Sequence, residues 1–322
     1  MKPEILVLTP IYAPALAELE RDFTVHKLWT AKNPDAYMKE VSGRVRGMVT
    51  TGLVGFGRHH LEALPKLEII ACFGIGHEGM DLAAAQAHGV VVTNTPHPIA
   101  QSVADLAMGL IIAVMRRMCE GDRYVRAGKW PQAPFGPGRE LGGKTCGIVG
   151  LGQIGNGVGK RAEAFGMSVC YHGPHPKQDV AYPYYSDLES MARLSDCLVL
   201  ACPATPATRN LVDARILDAL GPEGYLVNVA RGSVVDEQAL IAALKDGRIA
   251  GMGTDVFWDE PRVPAELMAM DNVVIVPHIG STTREEGAGE HCQIGAALLS
   301  NARILDWLDG KMKAGAQPRR SR

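Results

Sequence analysis

Apolar and polar positions follow two rhythms along this chain. Short apolar runs of strand length recur, and between them apolar residues fall at three- and four-residue spacing. In the first third the runs are Ile5–Thr9, Phe23–Trp29, Gly47–Thr51, Ile69–Phe73 and Val90–Thr93, with helical stretches at Pro14–Arg21 and Asp81–His88. Val103, Leu106, Ala107, Leu110, Ile111, Val114, Met115 and Met118 then form a broad apolar helical stripe, suited to burial inside the fold or against a second copy. A polar arm follows over Gly121–Arg139, carrying Trp130, Phe135 and three prolines. Beyond it come a strand at Cys146–Val149, a helix over Asn156–Phe165, and further strands at Ser168–Tyr171, Cys197–Ala201, Tyr225–Val229, Gly251–Val256 and Val273–Val276. Thr282–Leu308 reads as mostly helical and Lys311–Arg322 as a polar tail.

Strands alternating with helices predict an α/β protein. The larger block, residues 100–283, is expected to be a doubly wound parallel sheet of the Rossmann kind. It would be inserted in a smaller flavodoxin-like α/β domain made of residues 1–99 plus 284–322. Asn94-Thr-Pro-His-Pro98 is the expected hinge, because two prolines so close cannot continue regular structure.

Composition adds mainly exclusions. A length of 322 residues with 47% hydrophobic content supports two ordinary cores, and a net charge of −2 leaves no basic stripe for nucleic acid or an anionic membrane. Seven cysteines without any C-x-x-C spacing read as reduced thiols of a cytoplasmic protein. Glu4 and Pro10 break the first apolar run too early for a signal peptide, and the apolar run Leu106–Met115 is too short to span a bilayer. The expectation is a soluble protein.

The chemistry begins at Gly150-Leu-Gly152-Gln153-Ile154-Gly155, which lies between a strand and a helix. In such a G-x-G-x-x-G loop the first glycine permits a tight turn and the second exposes backbone to a pyrophosphate. The third lets the helix pack closely on the strand, which puts the phosphates at the helix N-terminus. Gly74-Ile-Gly76-His-Glu-Gly79 matches the same pattern, but only one clear strand follows it, so the later match is the dinucleotide site.

A dinucleotide fold usually ends its second strand, about 20 residues on, with an acid for the ribose 2′-hydroxyl. Here the slot reads Val169-Cys-Tyr-His172-Gly173-Pro-His175-Pro-Lys177, with no acid before Asp179. His172, His175 and Lys177 offer positive charge to a 2′-phosphate instead, which favours NADP, with NAD used without its acid as the alternative.

Three polar residues follow strand ends on the ligand side of the predicted sheet: Arg231, Glu260 and His278. Reducing a ketone by hydride transfer requires a proton donor, for which histidine is suited. A carboxylate beside it favours its charged form and fixes its ring, and arginine grips a 2-keto acid with a planar fork. The bland reading is three surface charges, yet chance rarely puts this complementary set at strand ends.

Gly150–Gly155, Asn228-Val-Ala-Arg-Gly-Ser233, Asp255-Val-Phe-Trp-Asp-Glu-Pro261, Pro277-His-Ile-Gly-Ser281 and Gly74-Ile-Gly76 with Asp81-Leu-Ala-Ala-Ala resemble the signatures of the D-isomer-specific 2-hydroxyacid dehydrogenases. The match covers nearly the whole chain in order. The slot without an acid is similar to the NADPH-preferring glyoxylate/hydroxypyruvate reductase branch. The resemblance implies that Arg231 binds substrate, His278 is the acid/base and Glu260 supports it. It also implies that Asp255 holds the nicotinamide carboxamide, with Val229, Ala230 and Gly280 nearby, while Cys202, Pro203 and Thr208 pass under the adenosine. Ile75 and Gly76 would offer backbone N–H groups to the substrate carboxylate, and Leu53 would line its side-chain pocket. Substrates would be small 2-keto or 2-hydroxy acids, and the assembly a homodimer formed through the nucleotide domain. The rival of a different class is a dinucleotide-sensing scaffold like the corepressors that share this fold.

Overall fold

In a computed structural model, the described residues are 2–52, 54–73, 76, 79–94 and 99–283. They fall into two compact units, divided between residues 98 and 99. Leu53, Ile75, most of the expected hinge and the expected C-terminal helix and tail lie outside the described residues.

The first unit is a five-stranded sheet of order β2-β1-β3-β4-β5, with β1 Glu4–Val7, β2 Thr24–Lys27, β3 Val45–Thr51, β4 Ile69–Phe73 and β5 Val91–Thr93. Every pairing is parallel. Helices α1 Ala13–Asp22, α2 Pro34–Val41, α3 Arg58–Ala63 and α4 Leu82–Ala87 connect the strands. One core gathers Leu6, Met48, Ile70, Leu61 and Leu64; another gathers Ile5, Val7, Leu19, Phe23 and Val49. Two loops of this unit meet through glycine. A Cβ at Gly52 would stand 2.6 Å from the Gly76 carbonyl oxygen, and one at Gly55 (φ +62°) would stand 1.9 Å from that of Gly79. No other residue type allows these backbones so close.

The second unit holds a seven-stranded sheet, order β12-β11-β10-β9-β6-β7-β8, all parallel. Its strands are β6 Thr145–Val149, β7 Ser168–His172, β8 Tyr184–Tyr185, β9 Cys197–Leu200, β10 Tyr225–Asn228, β11 Gly251–Thr254 and β12 Val273–Ile275. Its helices are α5 Ile99–Met115, α6 Met118–Arg126, α7 Gln153–Ala164, α8 Leu188–Leu194, α9 Ala214–Leu220, α10 Glu237–Lys245 and α11 Ala265–Met268. The chain runs outward from β6 in both directions, so the end of β6 is the crevice where a doubly wound sheet takes its ligand.

The apolar stripe up to Met115 belongs to α5, and the unit itself buries it; Met118 starts the next helix and is exposed. Ala104, Ala107, Ile111 and Met115 are all fully buried, with α7, β10, β11 and β12 packed around the helix. Glycines make room for it: a Cβ at Gly157 would meet the Ala104 side chain at 2.9 Å, and one at Gly253 would meet Leu110 at 3.0 Å. Arg117 turns left-handed (φ 54°) and ends this helix before Met118. The arm then starts as α6 rather than as loop. That helix buries no residue and is held by the ion pairs Arg117–Glu120 and Arg126–Asp122, so no apolar stripe announces it. The expected helix over 156–165 also begins earlier, at Gln153, with Gly152 as its cap.

Candidate active site

Helix caps decide where an anion can sit. Asp187, Asp213 and Asp236 cap α8, α9 and α10 by accepting the backbone N–H of Ser190, Ile216 and Ala239. The cap of α7 is Gly152, which has no side chain to give, so the first N–H groups of that helix stay available at its positive end. A Cβ at Gly152 would meet nothing within 4 Å, so the approach is open. Gly150 (φ +92°) would drive a Cβ to 2.6 Å from the Cys202 Cα, and Gly155 would drive one to 2.2 Å from the Gly150 carbonyl oxygen. These three glycines, with Gln153 and Ile154 on the first turn, form a cradle whose donors and space fit a dinucleotide pyrophosphate. Cys202 backs this cradle. Thr208 closes the turn beyond Pro203 by donating to the Pro203 carbonyl (2.8 Å) and accepting from the Thr205 N–H (2.8 Å).

The 2′ slot follows β7. His172 is half-buried, and its Nδ1 lies 2.9 Å from the Tyr185 carbonyl oxygen. The Gly173 carbonyl accepts from the Tyr184 hydroxyl (3.0 Å), and the Lys177 backbone N–H donates to the Tyr171 hydroxyl (2.7 Å). The side chains of His175 and Lys177 are exposed.

At the other end of the crevice, β10, β11 and β12 lie side by side and deliver Arg231, Glu260 and His278 just beyond their ends. His278 Nδ1 is 2.6 Å from Glu260 Oε2, and Glu260 Oε1 accepts the Phe257 N–H at 2.9 Å. Burial alone would raise the Glu260 carboxyl. The bond to His278, the Phe257 N–H and the nearby charges of His278 and Arg231 outweigh it and hold the group below the ordinary carboxylate range. Glu260 therefore stays charged at neutral pH. Since that carboxylate only accepts, Nδ1 carries a proton, and Nε2 is left as the ring's proton-exchanging atom. The two side chains are 27% and 14% exposed, so the ring is held yet reachable. Arg231 Nη1 donates to the Ala230 carbonyl (2.7 Å).

Two residues build these turns. Asn228 is fully buried; its Oδ1 accepts the Ala230 N–H (3.0 Å) and its Nδ2 donates to the Arg231 carbonyl (3.0 Å). It shapes the bend carrying Val229, Ala230 and Arg231. Asp255, 3% exposed, accepts the N–H groups of Ile279 (2.7 Å) and Gly280 (2.8 Å), one on each oxygen. Desolvation raises its carboxyl despite those two bonds. The same turn holds His278 left-handed, at φ 52°. The resemblance implies that Asp255 holds the nicotinamide carboxamide; in the structure its two oxygens accept from the segment bearing His278. Asn228 was visible in its motif, but nothing in the pattern indicated that both ends of its amide close the turn.

Of the substrate residues, Gly76 is described, and its carbonyl accepts from the Cys72 thiol at 3.5 Å. Leu53 and Ile75 lie outside the described residues. Among the described residues, six cysteines are free, no metal-binding cluster occurs, and no helix is long and apolar enough to cross a membrane.

Residues 108–280 match the family model of the D-isomer specific 2-hydroxyacid dehydrogenase NAD binding domain. The chain is 44% identical over 281 residues to glyoxylate/hydroxypyruvate reductase A HPR2 of Arabidopsis thaliana, covering 87% of this chain and 90% of that protein. Among solved structures it is similar to a 2-hydroxyacid dehydrogenase from Ketogulonicigenium vulgare Y25 (TM-score 0.88, 35% identity, 97% of each chain). It is also similar to an NADPH-dependent glyoxylate/hydroxypyruvate reductase from Sinorhizobium meliloti in complex with NADP and malonate (TM-score 0.85, 35% identity, 96% of this chain and 94% of that one). The cofactor is a nicotinamide dinucleotide. Cradle, strand-end residues and these likenesses agree: the chain belongs to the D-isomer-specific 2-hydroxyacid dehydrogenase family.

Proposed function

We propose that this protein reduces a small 2-keto acid, of the glyoxylate or hydroxypyruvate kind, to the D-2-hydroxy acid with NADPH. The observation that carries the reading is the Glu260–His278 pair, 2.6 Å apart beside the charge of Arg231 and on the same sheet edge as the glycine cradle.

The dinucleotide, when bound, supplies a hydride to the carbonyl carbon of the substrate. Gly150, Gly152, Gln153, Ile154 and Gly155 would hold its pyrophosphate, and Cys202, Pro203 and Thr208 its adenosine side. Val229, Ala230, Asp255 and Gly280 would border the nicotinamide. His278 Nε2–H donates its proton to the carbonyl oxygen as charge develops there. Glu260, accepting from Nδ1, stabilises the imidazolium before transfer and keeps the ring aimed. Arg231 binds the keto acid through its carboxylate or carbonyl oxygen. Gly76 remains our candidate for a backbone N–H to that carboxylate.

The NADP preference rests on the slot after β7, where His172, His175 and Lys177 precede the first acid, Asp179. The Sinorhizobium meliloti relative is described as NADPH-dependent, which agrees with it. We further propose that residues 1–99 and 284–322 form the substrate domain around 100–283, and that the protein works in the cytoplasm as a homodimer. With the α5 stripe used internally, the exposed Met118, Val125 and Trp130 are our candidates for the contact between copies. A corepressor-like sensor is not adopted, because the relatives named above are reductases and dehydrogenases.

The test is loss of nicotinamide absorbance with glyoxylate or hydroxypyruvate, NADPH and NADH run in parallel. Rapid loss with NADPH and little with NADH supports the whole reading. Faster loss with NADH removes the cofactor preference and keeps the reaction. No loss with either, across a panel of keto acids, defeats the reading.

A further inference from the structure

The turn carrying Arg231 and the loop carrying Glu260 touch backbone to backbone. A Cβ at the buried Gly232 would stand 2.2 Å from the Phe257 carbonyl carbon and 2.5 Å from the Trp258 nitrogen, so the glycine is what lets the two segments meet. Trp258 then crosses this seam. Its indole Nε1–H donates to the Val235 carbonyl at 2.8 Å, and its half-buried ring packs on the core that holds Val234 and Val235, both fully buried.

The two sides of the seam are anchored unequally. Val235 closes the one-turn helix Gly232–Val234 by donating to the Gly232 carbonyl at 3.0 Å. The same segment is tied to residues 210–212: the Asn210 N–H donates to the Ser233 carbonyl, the Val212 N–H to that of Val234, and the Asp236 N–H to that of Val212. The Asn228 amide holds the Arg231 carbonyl as well. Across the seam the bonds are local. The Phe257 N–H reaches Glu260, and the exposed Arg262 bonds back to Asp259 through side chain and backbone. Among the described residues, the hydrogen bonds that leave residues 257–262 are those of Trp258 to Val235 and of Glu260 to His278.

We propose that Trp258 is a positioning residue for the proton donor: its indole bond to Val235 holds the Glu260 loop where the carboxylate meets His278. This rests on the reading of Glu260 and His278 as the acid pair. A half-buried indole N–H needs a partner in any case. What gives this one a consequence is its place two residues before Glu260, in a loop otherwise closed on itself. Released from Val235, the loop can shift as one piece and carry the carboxylate with it. His278 does not follow, because Asp255 ties its turn through the N–H groups of Ile279 and Gly280. A shift of about 1 Å takes a 2.6 Å contact out of hydrogen-bond range.

The test is a double-mutant cycle on the full chain, with Trp258→Phe, Glu260→Gln and the two together. Phenylalanine keeps an aromatic ring on the core and removes the N–H. Steady-state reduction of glyoxylate by NADPH reads kcat and KM, and fluorescence titration reads the NADPH Kd. Trp258→Phe should lower kcat roughly 10- to 100-fold, the scale of an ångström of misplacement. The keto-acid KM and the NADPH Kd should stay within about twofold, because Asn228 and residues 210–212 still hold the Arg231 turn. In the Glu260→Gln background the same substitution should change kcat by less than about twofold, since the carboxylate it positions is gone. An equal fall in both backgrounds marks a merely structural role and overturns the proposal. A Trp258→Phe enzyme with wild-type kcat, beside an impaired Glu260→Gln, overturns it too and leaves the acid pair standing. Full turnover by Glu260→Gln defeats the acid-pair reading, and this inference with it. Trp258→Tyr, which also lacks the indole N–H, repeats the cycle; loss of NADPH binding in both variants would make the indole a support of the fold and overturn the proposal.

Discussion

Replacing Glu260 by glutamine keeps the side chain's shape and removes one charge beside His278. The consequence follows from the partners. The Phe257 N–H, 2.9 Å from Oε1, can only donate, so the introduced amide must turn its oxygen there. Its NH₂ then faces His278 Nδ1, where a carboxylate oxygen stood at 2.6 Å. The ring has to move its proton from Nδ1 to Nε2. Giving up that remaining proton would leave an imidazolate, so the acid is disabled rather than weakened. Loss of the charge-assisted bond removes about 1.5–3 kcal/mol of support for the charged ring. With the wrong tautomer added, kcat/KM should drop about 10²- to 10⁴-fold. Initial rates of NADPH consumption read the drop, and fluorescence titration should find the NADPH Kd within about twofold of wild type. A variant within threefold of wild-type turnover would refute the reasoning.

Three other outcomes follow from the structure. Gly155→Ala puts a Cβ 2.2 Å from the Gly150 carbonyl and should lift α7 from its loop. NADPH affinity should fall by about 5- to 150-fold, the scale of 1–3 kcal/mol of overpacking, and an unchanged Kd would contradict the close approach. Asn228→Ala takes the Asn228 acceptor from the buried Ala230 N–H and leaves the Arg231 carbonyl with only the Val234 N–H as donor. It should cost about 1–3 kcal/mol in denaturant unfolding and raise the keto-acid KM more than the NADPH Kd; equal rises would mean that the turn does not steer Arg231. His60 is pushed down to about 4, first by burial and then by the charge of neighbouring His59. Its folded value lies below its unfolded one, so stability is full above pH 6.5 and is lost as pH falls toward 4. After allowing for partial exposure the loss is about 1 kcal/mol, and His60→Gln should remove it from the acid unfolding curve; an unchanged curve would clear His60 of that role.

The parts of the fold legible in the sequence are those whose environment imposes a rhythm. β6, β9 and β10 are buried on both faces and stand out as apolar runs, each close to its expected place. Helix α6 buries no residue and β8 is only two residues long, so neither leaves a periodic trace. Asn33 capping α2, with Pro34 next, was a readable signal that apolar periodicity alone passes over. The site divides in the same way. Glycine spacing and strand-end position pointed to Gly150–Gly155, Arg231, Glu260 and His278. The 2.6 Å contact of Glu260 with His278 depends on the path of the loop after β11, which no periodicity encodes. The bond from His172 to Tyr185 likewise depends on a chain return 13 residues later. Asp255 shows the limit of motif reasoning: the residue was singled out, and its bonds to Ile279 and Gly280 appear only once the turn is built.

The central claim is that His278 delivers the proton to a keto acid reduced on this sheet edge. Its most direct test compares wild type with His278→Gln in single assays of NADPH consumption with glyoxylate, alongside NADPH binding to each protein. The account predicts a fall in kcat of roughly 100- to 10,000-fold with the NADPH Kd nearly unchanged. Turnover that survives the substitution would contradict it.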